Sequence, residues 1–269
     1  MLEIEFAQLS DAGRVRDHNE DFVGYAAPDN EERAGTHGWL FALADGVGGN
    51  DRGEVASRVA VECVLDGFRN SARNESLNAL LPRLVQSANS KVFETALSVA
   101  PGGSSMATTM VACALRYDRA IVSHAGDSRC YLVRQGYAAA ITRDHTFSNE
   151  QVKMGVVTAA EASRSQIAHV LSRSLGGHMF LSVDTCEHQI FAGDVLLLCS
   201  DGLHNSVSGE DIGRIAGHGA PLESVAGDLV ELAKERDGSD NISVQLIRVR
   251  TVERVGMYRG RHYKLDYHL

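Results

Sequence analysis

Residues 40–49 read Leu-Phe-Ala-Leu-Ala-Asp-Gly-Val-Gly-Gly, an apolar run that stops at an acid and then turns. The run reads as a buried strand, and Asp45 with Gly46 marks the point where the chain leaves the sheet. A core has no use for a carboxylate there, because burying one without a partner is costly. The same phrase recurs later, where Val195–Cys199 and Ser200 end in Asp201-Gly202. Near the end of the chain the order is reversed, and Asp240-Asn241 precedes the alternating pattern of Ile242–Leu246. Three acids at strand ends, far apart in sequence, suit one assembled cation site. Three ordinary turns fit the same pattern, since Asp-Gly is a common turn pair, and the strand ends alone do not choose between the two.

Composition narrows the partners more than the fold. The chain has 269 residues, enough for one large domain or two small ones, and a formal charge of −9. An acidic balance argues against a nucleic-acid binder, which carries a basic face. It leaves phosphorylated substrates open, because a bound cation supplies local positive charge. No apolar run reaches membrane-spanning length, and Met1–Phe6 lacks the basic start and apolar core of a secretion signal. The cysteines (Cys63, Cys113, Cys130, Cys186 and Cys199) show no CxxC spacing and mostly sit in apolar segments. That is the pattern of buried free thiols in a reducing compartment, so the expected location is cytoplasmic.

Taken in order, the chain predicts strands over Leu2–Leu9, Phe22–Tyr25 and Trp39–Ala44, with Ala26–Gly38 as an exposed connection. Helical spacing begins at Gly53 and runs past Phe68, and again spans about Ser76 to Leu97. A hairpin of Thr108–Leu115 with Ala120–Ala125 follows, then strands at Cys130–Arg134, Leu181–Phe191 and Val195–Cys199. An amphipathic helix over Pro221–Lys234 and a strand over Asn241–Val249 complete the pattern. Arg16 lies close to Glu20 and Asp21, and a fixed guanidinium beside an acidic pair suits a site for both a cation and an oxyanion. A solvated loop with surface ion pairs is the plain alternative. Asp127 occupies a strand–strand corner, either as a further ligand or as the ion-pair partner of Arg129. Phe147–Ser172 is polar and weakly periodic, as in a mobile flap beside a site.

With no low-complexity linker, internal repeat or second core pattern, one domain is expected over 1–250. It is followed by a basic, aromatic tail at 251–269, which either packs back or projects as a contact arm. Many hairpin-like strands with long helices between them suggest antiparallel sheets with helices on their outer faces.

Asp45, Asp201, Asp240 and Glu20, with the Gly46 carbonyl, form a hard-oxygen set that selects Mg²⁺ or Mn²⁺ over zinc or copper. Two ions sharing a carboxylate would activate a bridging water and clamp an in-line displacement at phosphorus. No P-loop and no nucleophile-elbow serine motif is present. On these residues the chain resembles the metal-dependent serine/threonine protein phosphatases of type 2C, the PPM family, in their compact bacterial form. The matching strings run in family order: SDAGRVRDHNEDF from Ser10, ALADGVGG from Ala42 with GEVAS from Gly53, SSMATT from Ser104, HAGDSRCYLVRQG from His124, ITRDHT from Ile141, LSRSLGG from Leu171, GDVLLLCSDGL from Gly193 and GSDNISV from Gly238.

The resemblance implies an α+β fold, a four-layer α-β-β-α sandwich of two antiparallel β-sheets flanked by helix pairs, with metals in a channel at one end. It implies that Asp45 bridges two Mn²⁺ or Mg²⁺ ions, with Asp201 and Asp240 completing one and Glu20 and the Gly46 carbonyl holding the other. A third ion, frequent in bacterial members, matches Asp127 and Asp201. Arg16 matches the arginine that grips the substrate phosphate. Asp21 matches the neighbouring acid that holds metal-bound water or orients that arginine. The implied reaction is hydrolysis of phosphoserine or phosphothreonine by a metal-bridging hydroxide, with inversion and no phosphoenzyme. The implied partners are phosphorylated proteins and a cognate bacterial Ser/Thr kinase, with no nucleic acid and no membrane span; a monomer is expected.

The match departs from the family at the proton donor. Many bacterial relatives carry histidine where this chain has Asn50, and animal relatives carry it where this chain has Val47. A metal-bound water, such as one at the third site, is an alternative source of the proton; His18, His124 and His145 are possible substitutes, each of which also reads as structural or exposed. Two other functions compete: a catalytically dead binding module, which has no reason to keep the acids, and a hydrolase of small phosphate esters or diesters, which the strings outside the ligands disfavour.

Overall fold

Leu40, Ala42 and Ala44 point into one hydrophobic core, while Phe41 and Leu43 point into another. Strand alternation at period two therefore explains why this run is apolar throughout: it is covered on both faces. The computed structural model describes residues 2–47, 52–99, 106–162, 165, 167, 169–253, 255–258 and 261–264. In chain order its elements are β1 (Glu3–Asp11), β2 (Asp21–Ala26), α1 (Glu31–Thr36), β3 (Trp39–Asp45), α2 (Gly53–Arg69), α3 (Leu77–Val99), β4 (Met110–Arg116), β5 (Arg119–Ala125), β6 (Arg129–Arg134) and β7 (Tyr137–Ala140). They continue with α4 (Phe147–Lys153), α5 (Ala159–Ala162), β8 (Asp184–Gln189), β9 (Val195–Cys199), α6 (Asp201–His204), α7 (Gly209–Ala216), α8 (Leu222–Arg236), β10 (Ile242–Thr251), β11 (Val255–Tyr258) and β12 (Arg261–Lys264).

Two five-stranded sheets are stacked, one in the order β1-β10-β9-β6-β7 and the other β2-β3-β4-β5-β8. Every strand pairing in them is antiparallel. The second sheet packs its outer face on α2 and α3 through Val61, Val64, Leu81, Val85 and Val92. The first sheet packs on α7 and α8 through Ile212, Val225, Leu229 and Val230. Between the sheets lies a middle core of Phe41, Leu43, Val111, Val122, Leu196, Leu198 and Ile247. Leu197 and Cys199 of β9 turn outward to the helices while Leu196 and Leu198 turn inward, so the second apolar run repeats the logic of the first. Each such side chain, fully withdrawn from water, contributes about 1.5–3 kcal/mol before entropy is counted. The result is the expected α-β-β-α sandwich.

The structure adds α1 within the Ala26–Gly38 connection, together with β7 and α7. After β10 the chain forms a separate two-stranded sheet of β11 and β12. All five cysteines are free; Cys113, Cys130 and Cys199 are buried and the other two half-buried.

Candidate active site

Topology explains why distant acids meet. β3 and β5 run in the same direction, both antiparallel to β4, so Asp45 at the end of β3 and Asp127 just beyond β5 reach one end of the sandwich. Cys199 pairs with both Arg129 and Val244, which brings Asp201 after β9 and Asp240 before β10 to that same end. There a cavity of about 470 Å³ is lined by Arg16, Asp45, Gly46, Asp127, Asp201 and Asp240. The strand ends are thus one assembled site and not three independent turns.

Asp45 is held by its backbone. Its N–H donates to Thr109 Oγ1 at 2.9 Å, and its carbonyl accepts from Thr109 N–H and Thr108 Oγ1, each at 2.8 Å. Burial, followed by repulsion from Asp21, Asp201, Asp127 and Asp240, holds its carboxyl well above the usual carboxylate range. Burial and the Asp201 charge push Asp127 up to about 7. Asp201 is raised by burial and by Asp240. Such a cluster is electrostatically unfavourable by itself. The donor set is all oxygen, which suits a hard divalent cation, and the like-charge repulsion is what such a cation would relieve.

Arg16 forks onto Asp240, with Nε–Oδ1 and Nη2–Oδ2 distances of 3.0 Å. Asp240 therefore shares its oxygens between the Arg16 guanidinium and the Asn241 N–H. Glu20 meets the start of α2: a Cβ added to Gly53 would come within 2.9 Å of Glu20 Cδ. A Cβ on Gly46 would meet Gly53 backbone at 2.5 Å and the Glu20 carbonyl at 2.8 Å, so close packing requires glycine at 46, whereas the obstacle at 53 is the end of the flexible Glu20 side chain. Asp21 sits behind Asp45, its partner across the β2–β3 ladder, and accepts a 2.8 Å hydrogen bond from Ser200 Oγ. Burial pushes its pKa up to about 7. Arg16 bonds Asp240 and not Asp21.

The chain matches the family model described as protein phosphatase 2C over residues 4–244. The chain belongs to the protein phosphatase 2C family. It is 31% identical over 255 residues to the serine/threonine phosphatase stp of Listeria innocua, covering 94% of this chain and 96% of that one. Among solved structures it is similar to the Mycobacterium tuberculosis serine/threonine phosphatase PstP/Ppp, with a TM-score of 0.80, 33% identity and coverage of 93% and 100%. A second structure, the catalytic domain of PstP in complex with 2 manganese ions, gives a TM-score of 0.76 and 35% identity, again covering 93% and 100%.

Several residues of this protein phosphatase that the motif acids overshadowed turn out to hold them. Asn241 accepts from Glu20 N–H at 2.8 Å and donates to the carbonyls of Ala12 and His18, tying the Arg16 loop to β10. Ser57 Oγ donates to the Glu20 carbonyl at 2.6 Å. His204 Nε2 donates to the Asp127 carbonyl at 2.9 Å, and burial lowers its pKa to about 4. Each lies within a few residues of a strand-end acid or in a matched string, which is the signal that was available. Arg129, considered as a partner for Asp127, instead forms a bidentate pair with Asp144 at 2.8 and 2.6 Å.

His124, His145 and Asp184 place metal-type donor atoms within 4.8 Å of one another. The phosphatase uses them differently. The two imidazoles are stacked, with centroids 4.7 Å apart and planes 10° from parallel, so their in-plane lone pairs cannot converge on one ion. Asp184 is also engaged by Arg173 at 2.8 Å and by His145 at 3.1 Å. The cluster braces the start of the Phe147–Ser172 segment, where Thr146 bridges to Leu171. Burial lowers the pKa of both imidazoles, and neither residue lines the cavity. Val47 lines the cavity, whereas Asn50 lies outside the described residues.

Proposed function

We propose that this chain hydrolyses phosphoserine and phosphothreonine in proteins, using two Mn²⁺ or Mg²⁺ ions held by Asp45, Asp201, Asp240, Glu20 and the Gly46 carbonyl. A third ion is assigned to Asp127 and Asp201. The observation that carries this reading is the convergence of Asp45, Asp127, Asp201 and Asp240 on one cavity beside Arg16. The two manganese ions of the related PstP structure support the same ion number. When bound, the ions supply Lewis acidity and an activated water.

The chain's own residues do the rest. Thr108 and Thr109 fix Asp45 before substrate arrives, so no reorganisation is needed during reaction. Asp21, behind Asp45, orients water through its carboxylate. Arg16 presents Nη1 to the substrate phosphate while Nε and Nη2 stay on Asp240. Replacing Arg16 with alanine is expected to lower kcat/KM for a phosphopeptide about 10- to 100-fold, the worth of a hydrogen bond to a charged group. Lysine should recover only part of this, because it lacks the planar fork. A steady-state comparison of Arg16→Ala and Arg16→Lys checks it, and equal values for the two variants would count against a forked contact.

The catalytic unit is assigned to 1–250, with 251–269 as a tail, and the enzyme is placed as a cytoplasmic monomer opposing a Ser/Thr kinase. Among the described residues no helix is long and apolar enough to cross a membrane. The deciding experiment is phosphate release from a phosphothreonine peptide with Mn²⁺, with Mg²⁺ and with chelator. Turnover that requires the divalent ion is the expected result. A folded protein inactive with every ion would overturn the assignment.

A further inference from the structure

Cleavage of an alkyl phosphate ester leaves the electron pair of the P–O bond on a serine or threonine oxygen, and that oxygen departs readily only if it receives a proton. The cavity offers few sources. Its carboxyl groups are committed to cations on the reading above, and the Arg16 guanidinium does not give up its proton. The Thr109 hydroxyl is shared between Asp45 N–H and Ser128 Oγ, the latter at 2.6 Å. Among the described residues lining the cavity, His169 alone carries an imidazole, the side chain most often used to pass protons in catalysis.

His169 comes from the Phe147–Ser172 segment, and the chain just after it is pinned. Phe147 N–H donates to the Val170 carbonyl, and Ser172 N–H to the His145 carbonyl, each at 2.9 Å. Val170 and Leu171 line the same cavity. The residue is exposed, so its imidazole can be recharged from solvent. The charge of His169 is felt at Asp201, where it opposes the rise caused by burial and by Asp240.

On the phosphatase reading above, we propose that His169 is the proton donor to the leaving serine or threonine oxygen. Water adds to phosphorus as the bond to the side-chain oxygen breaks. The electron pair stays on that oxygen, and the imidazolium transfers its proton there to give the alcohol. The imidazole, now neutral, regains a proton equivalent to the one released by the attacking water, so the sum is ester plus water to alcohol plus phosphate.

The test compares the full chain with His169→Gln, both with Mn²⁺, on a phosphothreonine peptide and on p-nitrophenyl phosphate. Nitrophenolate leaves without a proton, so it does not need the donor. The expected result is a fall in kcat on the peptide of about 10²-fold, with a loss on the aryl ester smaller by about tenfold or more. Imidazole added to the buffer should restore part of the peptide activity. Equal losses on both substrates, or undiminished peptide turnover, would overturn the proposal while leaving the phosphatase reading intact. Wild-type protein inactive on both substrates would instead overturn that reading and this proposal with it.

Discussion

Asp45→Asn is expected to lower turnover by about 10³-fold or more, while raising the melting temperature of the metal-free protein. The loss follows from removing the charge that the other acids surround, on the scale seen when preorganised charge stabilisation is deleted. The gain follows from the same surroundings. Without cations, Asp45 is recessed among Asp21, Asp201, Asp127 and Asp240, and its ionisation is opposed by burial and by their charge. Asparagine keeps the shape and is neutral in both folded and unfolded chain, so the cost of either protonating or ionising a carboxyl there is removed and appears as stability, at about 2–4 °C per kcal/mol for a chain near this size. Phosphopeptide assays with Mn²⁺ and melting curves in chelator check both halves. Near wild-type turnover, or a lower melting temperature in chelator, would show that Asp45 is not the centre of a repulsive cluster.

The stabilisation conferred by Mn²⁺ is expected to grow steeply between pH 5 and pH 8. Asp21 and Asp127 have pKa values pushed up to about 7 in the folded metal-free protein, against ordinary values near 4. For a carboxyl raised on folding, the stabilising contribution is complete below the unfolded value and is lost as pH rises through the folded one. The metal-free fold therefore weakens on this account from about pH 4 to about pH 7. His124, His145 and His204, whose pKa values burial lowers, work in the opposite direction, and stability is lost as pH falls from the unfolded histidine value near 6.5 towards their lowered folded values. That contribution is common to metal-free and metal-loaded protein, so it cancels in the difference between them. Cation binding requires the deprotonated carboxylates and improves over the same interval. Melting temperatures with and without Mn²⁺, measured at several pH values, give the difference directly. A difference that is flat or shrinks with rising pH would contradict the assignment of Asp127 to a cation site with Asp21 beside it.

What the amino-acid order reveals, and what it hides, depends on which forces are local. Leu40–Ala44 announces itself because a strand covered on both faces can contain nothing polar, and Asp45 stands out against it. The matched acids follow for the same reason. Helix α7 carries a start signal, the Ser208 cap with Glu210 and Asp211 in the first turn, but its glycines, Gly209 and Gly213, weaken helical propensity and mask it; Gly213 is there because Gly136 backbone passes where a Cβ would sit, at 2.3 Å. The four-residue β7 is defined by its pairing with β6, not by its own composition. Helix α1 buries no residue and so has no apolar stripe to read. Arg129 is two residues from Asp127 but bonds Asp144, because a side chain answers to the nearest charge in space. His169 has no motif around it, and only the folding of its segment against Thr146 brings it to the cavity.

The division of the site between two sheets has a mechanical consequence. Asp45 belongs to the β2-β3-β4-β5-β8 sheet, Asp201 and Asp240 flank strands of the other, and Asp127 lies on the crossing between them. The spacing of these acids is therefore set by the thickness of the middle core, whose Phe41, Leu43, Leu196 and Ile247 act as the spacer. Outer-face residues on α2, α3, α7 and α8 can drift in size with little effect on that gap, whereas a change of one methylene in the spacer alters the jaw width of the catalytic end. The sandwich works as a caliper, with its adjustment buried away from the chemistry it gauges.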